Sequence, residues 1–88
     1  MPSPNTTLRE ARLRIPSPAD ATRPMSRAEL AHSVCVWLWH TRSMNRPFDA
    51  HYLAKLERGA VRRTGDAYRE ALRAVLGVPD DSALGMDQ

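Results

Sequence analysis

The helical character of the chain is encoded most clearly in the stretch Ser26-Arg-Ala-Glu-Leu-Ala-His-Ser-Val-Cys-Val-Trp-Leu-Trp39. Ser26 and Glu29 stand three residues apart, the spacing of a capping box, in which each side chain binds a free amide at the start of a helix. Met25 and Leu30 stand where a hydrophobic staple packs across such a start. We therefore expect a helix to begin at residue 27 and to run to residue 41.

Apolar side chains surround this predicted helix over residues 34–39. The face expected in the core, at helical spacing, consists of Leu30, Val34, Trp37 or Leu38, and Thr41. A helix that is apolar on all sides is buried on more than one face, so this one is central in the domain or forms half of an interface. Trp37 and Trp39 lie about 200° apart around a helix. Both cannot face one small core, so Trp37 and Trp39 are the candidates for a homodimer interface, and one of them is expected to make the contact.

Three further segments have helical periodicity and end at helix-breaking residues. The predicted helices are residues 8–15 (capped by Thr6 or Thr7, stopped by Pro16), 50–58 (capped by Asp49, followed by Gly59) and 66–76 (followed by Gly77). A last turn is expected within residues 79–84, with Asp80 as its cap. Because every periodic segment has a period near 3.6 residues, the sequence predicts an all-α fold, a compact bundle of four to five helices without strands.

The length of the chain and the distribution of its charge indicate its domain organisation and a possible class of partner. Its 88 residues are enough for one domain, expected over residues 8–84 between a flexible arm at 1–7 and a tail at 85–88. The net charge of +3 is uneven: +2 in residues 1–25, +4 in 26–63 and −3 in 64–88. A basic centre beside an acidic end suggests a surface that faces a polyanion; the alternative is random scatter on a small basic protein.

Several classes of protein and of site are disfavoured. The chain begins without the layout of a signal peptide and has no apolar run of the ~18 residues that a membrane span needs, so a cytoplasmic protein is expected. One cysteine excludes an intrachain disulfide and an ordinary cysteine-based zinc site. His32, Cys35 and His40 are not expected to bind a metal ion, because they do not share one helix face and a fourth ligand is missing. No sequence signature of a catalytic site is present. We therefore expect neither an enzyme nor a cofactor.

Four short motifs, in order, resemble the XRE family, the helix-turn-helix domains of the Cro and phage-repressor type. They are Leu8-Arg-Glu-Ala-Arg12, Ser26-Arg-Ala-Glu-Leu-Ala31, Leu53-Ala-Lys-Leu-Glu-Arg-Gly59 and Leu72-Arg-Ala-Val-Leu-Gly-Val78. The resemblance implies a bundle of the lambda-repressor-like helix-turn-helix type and a bacterial transcriptional regulator. From Ser26 to Glu57 this chain has 32 residues, more than the family usually has. It therefore resembles a variant with an extended second helix and a longer loop, 41–48.

The resemblance also implies which residues meet double-stranded DNA, because the family places the start of its third helix in the major groove. The implied base contacts are Ala50, His51, Ala54 and Lys55, whereas Asp49 is expected to be a cap because a carboxylate repels phosphate. The expected phosphate contacts are Arg27, Arg42, Arg46, Tyr52, Arg62 and Arg63. Thr64 is expected to cap the fourth helix or to touch phosphate. Glu57 resembles the family's structural glutamate and is expected to pair with Arg9 or Arg12.

The function expected from these observations is sequence-specific binding of double-stranded DNA in bacterial transcription regulation, by a nucleoid-associated protein that forms a homodimer. An alternative is a protein-interaction module, which presents a Trp-bearing helical surface to a partner protein while the arginines keep it soluble. An RNA-binding protein is a third hypothesis, although no stacked aromatic platform is evident in the sequence.

Overall fold

In the computed structural model, residues 4–45 and 47–86 are described, and they form four α-helices and one 3₁₀ turn. The α-helices are α1 (Thr6–Leu13), α2 (Arg27–Arg42), α3 (Ala50–Arg58) and α4 (Asp66–Leu76), and the 3₁₀ turn is Ser82–Leu84. Within these two ranges there is no strand, only an isolated bridge between Pro16 and Pro24. The predicted all-α bundle is confirmed.

α2 is the central helix of the bundle. It packs against both α3 and α4, whereas α1 packs against α3 and the 3₁₀ turn. The fully buried side chains are Leu8, Leu30, Val34, Leu38, Leu53, Leu56, Leu72 and Leu84, and each such burial stabilises the fold by roughly 1.5–3 kcal/mol. Leu38 rather than Trp37 completes the core face of α2. The expectation that Thr41 is buried is wrong, because this residue lies exposed in the last turn of the helix.

The start of α2 has the predicted capping box. Ser26 Oγ accepts the Glu29 N–H at 3.1 Å, and Glu29 Oε1 accepts the Ser26 N–H at 2.9 Å. The second carboxylate oxygen of Glu29 accepts the Ser17 hydroxyl at 2.6 Å, so the loop between α1 and α2 is attached to the same side chain. The hydrogen bonds from Ser17 and from the Ser26 backbone, together with the charge of Arg23, lower the pKa of Glu29 to about 2.

α1 begins earlier than predicted, and neither Thr6 nor Thr7 caps it. The cap is Asn5, whose Oδ1 accepts the Leu8 N–H at 3.0 Å while its Nδ2 donates to the Leu84 carbonyl at 2.9 Å. Thr6 and Thr7 therefore belong to the first turn of α1 rather than to a flexible arm. The threonine prediction is wrong, because Asn5, a residue type that caps helices better than threonine, takes this position and is also held by the far end of the chain. The expected arm residues 1–3 and tail residues 87–88 lie outside the described ranges.

A buried carboxylate joins the three N-terminal helices. Glu57, in α3, is bound by Arg12 of α1 through Nε at 2.7 Å and Nη2 at 3.2 Å, and by Arg27 of α2 through Nε at 3.0 Å. We call Arg12, Arg27 and Glu57 the Glu57 cluster. The side chains of Glu57 and Arg12 are only 1% and 8% exposed, and Arg12 also donates to the Met25 carbonyl at 2.8 Å. Pairing of Glu57 with Arg12, one of the two expected partners, is confirmed.

The loop between α2 and α3 is held at several points. Ser43 ends α2 in the left-handed conformation at φ 53°. The Cys35 thiol donates to the Phe48 carbonyl at 3.2 Å, and the Tyr68 hydroxyl donates to the Pro47 carbonyl at 2.9 Å. Phe48 is buried, with its ring 5.4 Å from that of Tyr52. The extended connection thus fixes the start of α3 against α2 and α4.

We expect Glu57→Ala to reduce the free energy of unfolding by about 3–5 kcal/mol, because it leaves the buried Arg12 guanidinium without its counter-charge. Urea unfolding followed by circular dichroism measures this loss. The matched control is Glu10→Ala on α1, an exposed glutamate, which should change stability by no more than about 0.5 kcal/mol. Equal effects of the two substitutions would contradict the role assigned to Glu57.

Acid should weaken the start of α2 in a defined pH window. Since folding lowers the pKa of Glu29 from 4.5 to about 2, its contribution is fully present above pH 4.5 and decreases as the pH falls towards 2. Glu29→Gln keeps a capping side chain but cannot titrate. Urea unfolding at a series of pH values should therefore show a smaller fall in stability for Glu29→Gln than for the wild type across this window; parallel curves would rule the assignment out.

Candidate nucleic-acid interface

Three basic side chains of α3 point away from the core. His51, Lys55 and Arg58 follow each other at intervals of four and three residues, which places them on one side of a helix, and we call them the α3 outer face. His51 and Arg58 are exposed and Lys55 is half-buried, while Leu53 and Leu56 are buried on the opposite side. The helix that was predicted to meet a ligand therefore presents a basic surface to solvent.

The other predicted residues of α3 have different positions. Ala50 and Ala54 are half-buried and lie at the border between the outer face and the core. Asp49 is the N-cap, as predicted, with Oδ1 accepting the Tyr52 N–H at 2.8 Å. Arg58 was missed, because the prediction concentrated on the start of the helix. The spacing from His51 through Lys55 to Arg58 was the sequence signal that could have found it.

The loop after α3 adds two arginines. Arg62 is exposed and borders an open cleft of about 450 Å³ between the start of α1 and the end of α3. Arg63 has a 38% exposed side chain and lies 4.0 Å from Asp81, a carboxylate that also binds Arg69 and Arg73 of α4. Arg62 is thus the freer of the two to bind an external anion.

The two predicted arginines of α2 are ion-paired and far apart. Arg27 binds Glu57 through Nε, with 42% of its side chain exposed, and Arg42 binds Glu70 of α4. They occupy the first and last positions of α2, about 22 Å apart along the helix at 1.5 Å per residue. A single phosphate cannot contact both, and the charge of Arg42 is partly neutralised within the fold.

The remaining predicted phosphate contacts have more limited roles. The Tyr52 hydroxyl lies 3.0 Å from the Thr64 hydroxyl, so each of these side chains satisfies the other. Thr64 is buried and does not cap α4, whose N-cap is Gly65 without a side-chain hydrogen bond; the predicted cap is wrong because the Thr64 hydroxyl faces Tyr52 instead. Arg46 lies outside the described residues.

The unpaired positive charge is concentrated near the end of α3. Within residues 4–45 and 47–86, the arginine and lysine side chains that form no ion pair are Arg9, Arg14, Lys55, Arg58 and Arg62. Three of these five fall between residues 55 and 62. Glu57 is the only acidic residue between residues 50 and 65, and its carboxylate is buried against two arginines. The exposed charge of this region is therefore entirely positive.

The two tryptophans differ in environment. Trp37 is half-buried and packs against the core, whereas Trp39 is 57% exposed. Only Trp39 therefore presents most of its indole to solvent. Val36, on the same helix, is 40% exposed.

His32, Cys35 and His40 do not form a metal site. No group of three or more potential ligands among His, Cys, Asp and Glu side chains occurs in the part of the chain that the structure describes. The Cys35 thiol instead donates to a backbone carbonyl, as noted above.

Comparison of the chain with protein-family models, with curated proteins and with solved structures found no match. None of the helices among the described residues has the length and apolar character that crossing a membrane requires.

Removing an unpaired charge should weaken polyanion binding more than removing a paired one. Arg62→Gln and Arg42→Gln change the net charge equally, but Arg42 is already opposed by Glu70. We expect Arg62→Gln to elute from a heparin column at a clearly lower salt concentration than Arg42→Gln, which should elute close to the wild type. Identical shifts would indicate that total charge alone governs retention.

Proposed function

We propose that this protein is a sequence-specific double-stranded DNA-binding protein that regulates bacterial transcription, with α3 as its reading helix. The observation that carries the proposal is the concentration of unpaired cations at Lys55, Arg58 and Arg62, within a segment, residues 50–65, whose single acidic residue, Glu57, is buried. A phosphate backbone binds such a surface through counterion release. The resemblance of four ordered motifs to the XRE family supports the same function.

The dimensions and chemistry of the α3 outer face suit the major groove. An α-helix with its side chains is about 10–12 Å wide, close to the ~12 Å width of that groove. Lys55 and Arg58 can donate to O6 and N7 of guanine, and His51 can donate or accept. The small side chains of Ala50 and Ala54 allow close approach and can contact a thymine methyl group.

Phosphate contacts fix the orientation of the reading helix on the duplex. In this proposal the phosphates on one side of the groove bind the loop that follows α3, through Arg62 and, beside it, Arg63, which lies 4.0 Å from Asp81. Arg27 is held by Glu57 through Nε and keeps 42% of its side chain exposed, so its other nitrogens can donate to a phosphate. It also stands in the first turn of α2, where the helix dipole favours an anion.

Loss of a base contact and loss of a phosphate contact should change DNA affinity in different ways, which two substitutions can distinguish. After selection of a preferred sequence from random duplexes, Lys55→Ala should cost about 1–3 kcal/mol on that sequence and relax the preference at one base position. Arg62→Ala should instead weaken binding to preferred and random duplexes alike and reduce the salt slope by about one. Fluorescence anisotropy titrations at several salt concentrations measure both effects.

Two outcomes would count against this proposal. If Lys55→Ala, His51→Ala and Arg58→Ala all leave the ratio of specific to random affinity unchanged, α3 is not the reading helix. If the wild type shows no salt-dependent binding to any duplex, the function itself is wrong. Glu10→Ala, which removes an exposed charge on α1, is the matched control and should alter neither affinity nor specificity by more than a small factor.

A protein-interaction module is the second candidate function, and the exposure of Trp39 and Val36 favours it. Exposed tryptophans are frequent anchors of protein interfaces. The two functions differ in their salt dependence, because an apolar contact persists at salt concentrations that abolish binding to phosphates.

A further inference from the structure

The carboxylate of Asp81 lies among three arginines. Arg69 and Arg73 of α4 both bind it, Arg69 at Oδ2 and Arg73 at Oδ1. Arg63, in the loop after α3, has its Nη2 4.0 Å from Oδ2, a distance too long for a hydrogen bond. We call these four residues the Asp81 cluster. Three guanidinium groups therefore share one carboxylate, whose two oxygens are already taken by the arginines of α4.

The three arginines differ in how well an external ligand can reach them. The Arg69 side chain is only 10% exposed. Its Nε donates to the Thr64 carbonyl at 3.1 Å, and it also binds Asp66, so its hydrogen bonds are used within the fold. The side chains of Arg73 and Arg63 are 32% and 38% exposed. A phosphate group can therefore approach Arg63 and Arg73 from solvent.

The 3₁₀ turn Ser82–Leu84 keeps its geometry without the Asp81 side chain. Asp81 is the N-cap of this turn, but its side chain makes no capping hydrogen bond. The carboxylate of Asp80 accepts the Ala83 N–H at 3.0 Å instead. The Asp81 backbone carbonyl accepts the amides of Leu84 and Met86, both at 3.0 Å, and these two residues are buried. Replacing the Asp81 carboxylate by an amide should therefore leave the turn folded.

We propose that Asp81 competes with DNA phosphates for Arg63 and Arg73 and thereby limits the affinity of the protein for DNA. The proposal rests on the DNA-binding function proposed above. Arg63 directly follows Arg62 in the chain, so the Asp81 cluster adjoins the unpaired cations of that surface. A phosphate that binds either arginine must displace a carboxylate, so each contact contributes less affinity than one made by an unpaired arginine such as Arg62.

The carboxylate that must be displaced is ionised at neutral pH. Burial alone would raise the pKa of Asp81, but the hydrogen bonds and charges of Arg73 and Arg69 outweigh burial and lower this pKa below its usual value. The competition therefore operates throughout the neutral range of pH.

The substitution Asp81→Asn tests the competition, because it keeps the size of the side chain and one acceptor oxygen but removes the charge. Glu10→Gln is the matched control, since it changes the net charge equally at an exposed residue of α1. Fluorescence anisotropy with a random duplex over a series of salt concentrations measures both variants. Asp81→Asn should raise the affinity roughly twofold to tenfold. Its salt slope should steepen by about one for each arginine that newly contacts a phosphate. Glu10→Gln should leave the slope unchanged.

A cycle of substitutions separates release of the arginines from a change in net charge. The pair Arg63→Gln and Arg73→Gln should remove most of the affinity gained in the Asp81→Asn background and have a smaller effect in the wild type. Arg14→Gln, at an exposed and unpaired arginine, should have the same effect in both backgrounds. Circular dichroism verifies that each variant is folded.

The outcomes distinguish this proposal from the function on which it rests. If the wild type binds the duplex and Asp81→Asn changes affinity and salt slope no more than Glu10→Gln does, Asp81 does not compete with phosphate, and the DNA-binding function stands. The same conclusion follows if the paired arginine substitutions act equally in both backgrounds. If neither the wild type nor Asp81→Asn shows salt-dependent binding to a duplex, the proposed function is itself overturned.

Discussion

The arrangement of the bundle depends on the Glu57 carboxylate and the two arginines that bind it. A buried charge is tolerated only when its partners are well placed, and Arg12 and Arg27 come from two different helices. Satisfying both of them fixes the end of α3 against α1 and the start of α2. The backbone contributes to the same junction, because the Glu57 carbonyl accepts the Asn5 N–H at 2.8 Å. This junction also sets the rotation of α3 about its own axis, with Leu53 and Leu56 buried and the α3 outer face directed away from them.

The features that the sequence predicted correctly are encoded within a few residues. The capping box at Ser26, the Asp49 cap and the glycines at 59 and 77 act through neighbouring amides, and all four were recognisable. Failures occurred where distant residues decide the conformation. Asn5, which caps α1, also donates to the carbonyl of Leu84, 79 residues away, and this second contact cannot be recognised in the local sequence. The end of α2 was predicted to within one residue, but the left-handed conformation of Ser43 was not, because glycine usually supplies it.

The same distinction applies to the candidate site. The resemblance to the XRE family predicted α3 and the arginines around it as the candidate site. The sequence did not reveal which of these arginines are ion-paired, because their partners lie far along the chain. Arg42 pairs with Glu70, and Arg63 lies near Asp81. Arg12 is a further example of an arginine that is not available to a ligand, because its side chain is only 8% exposed and is bound to Glu57. A count of arginines therefore overestimates the charge available to a polyanion.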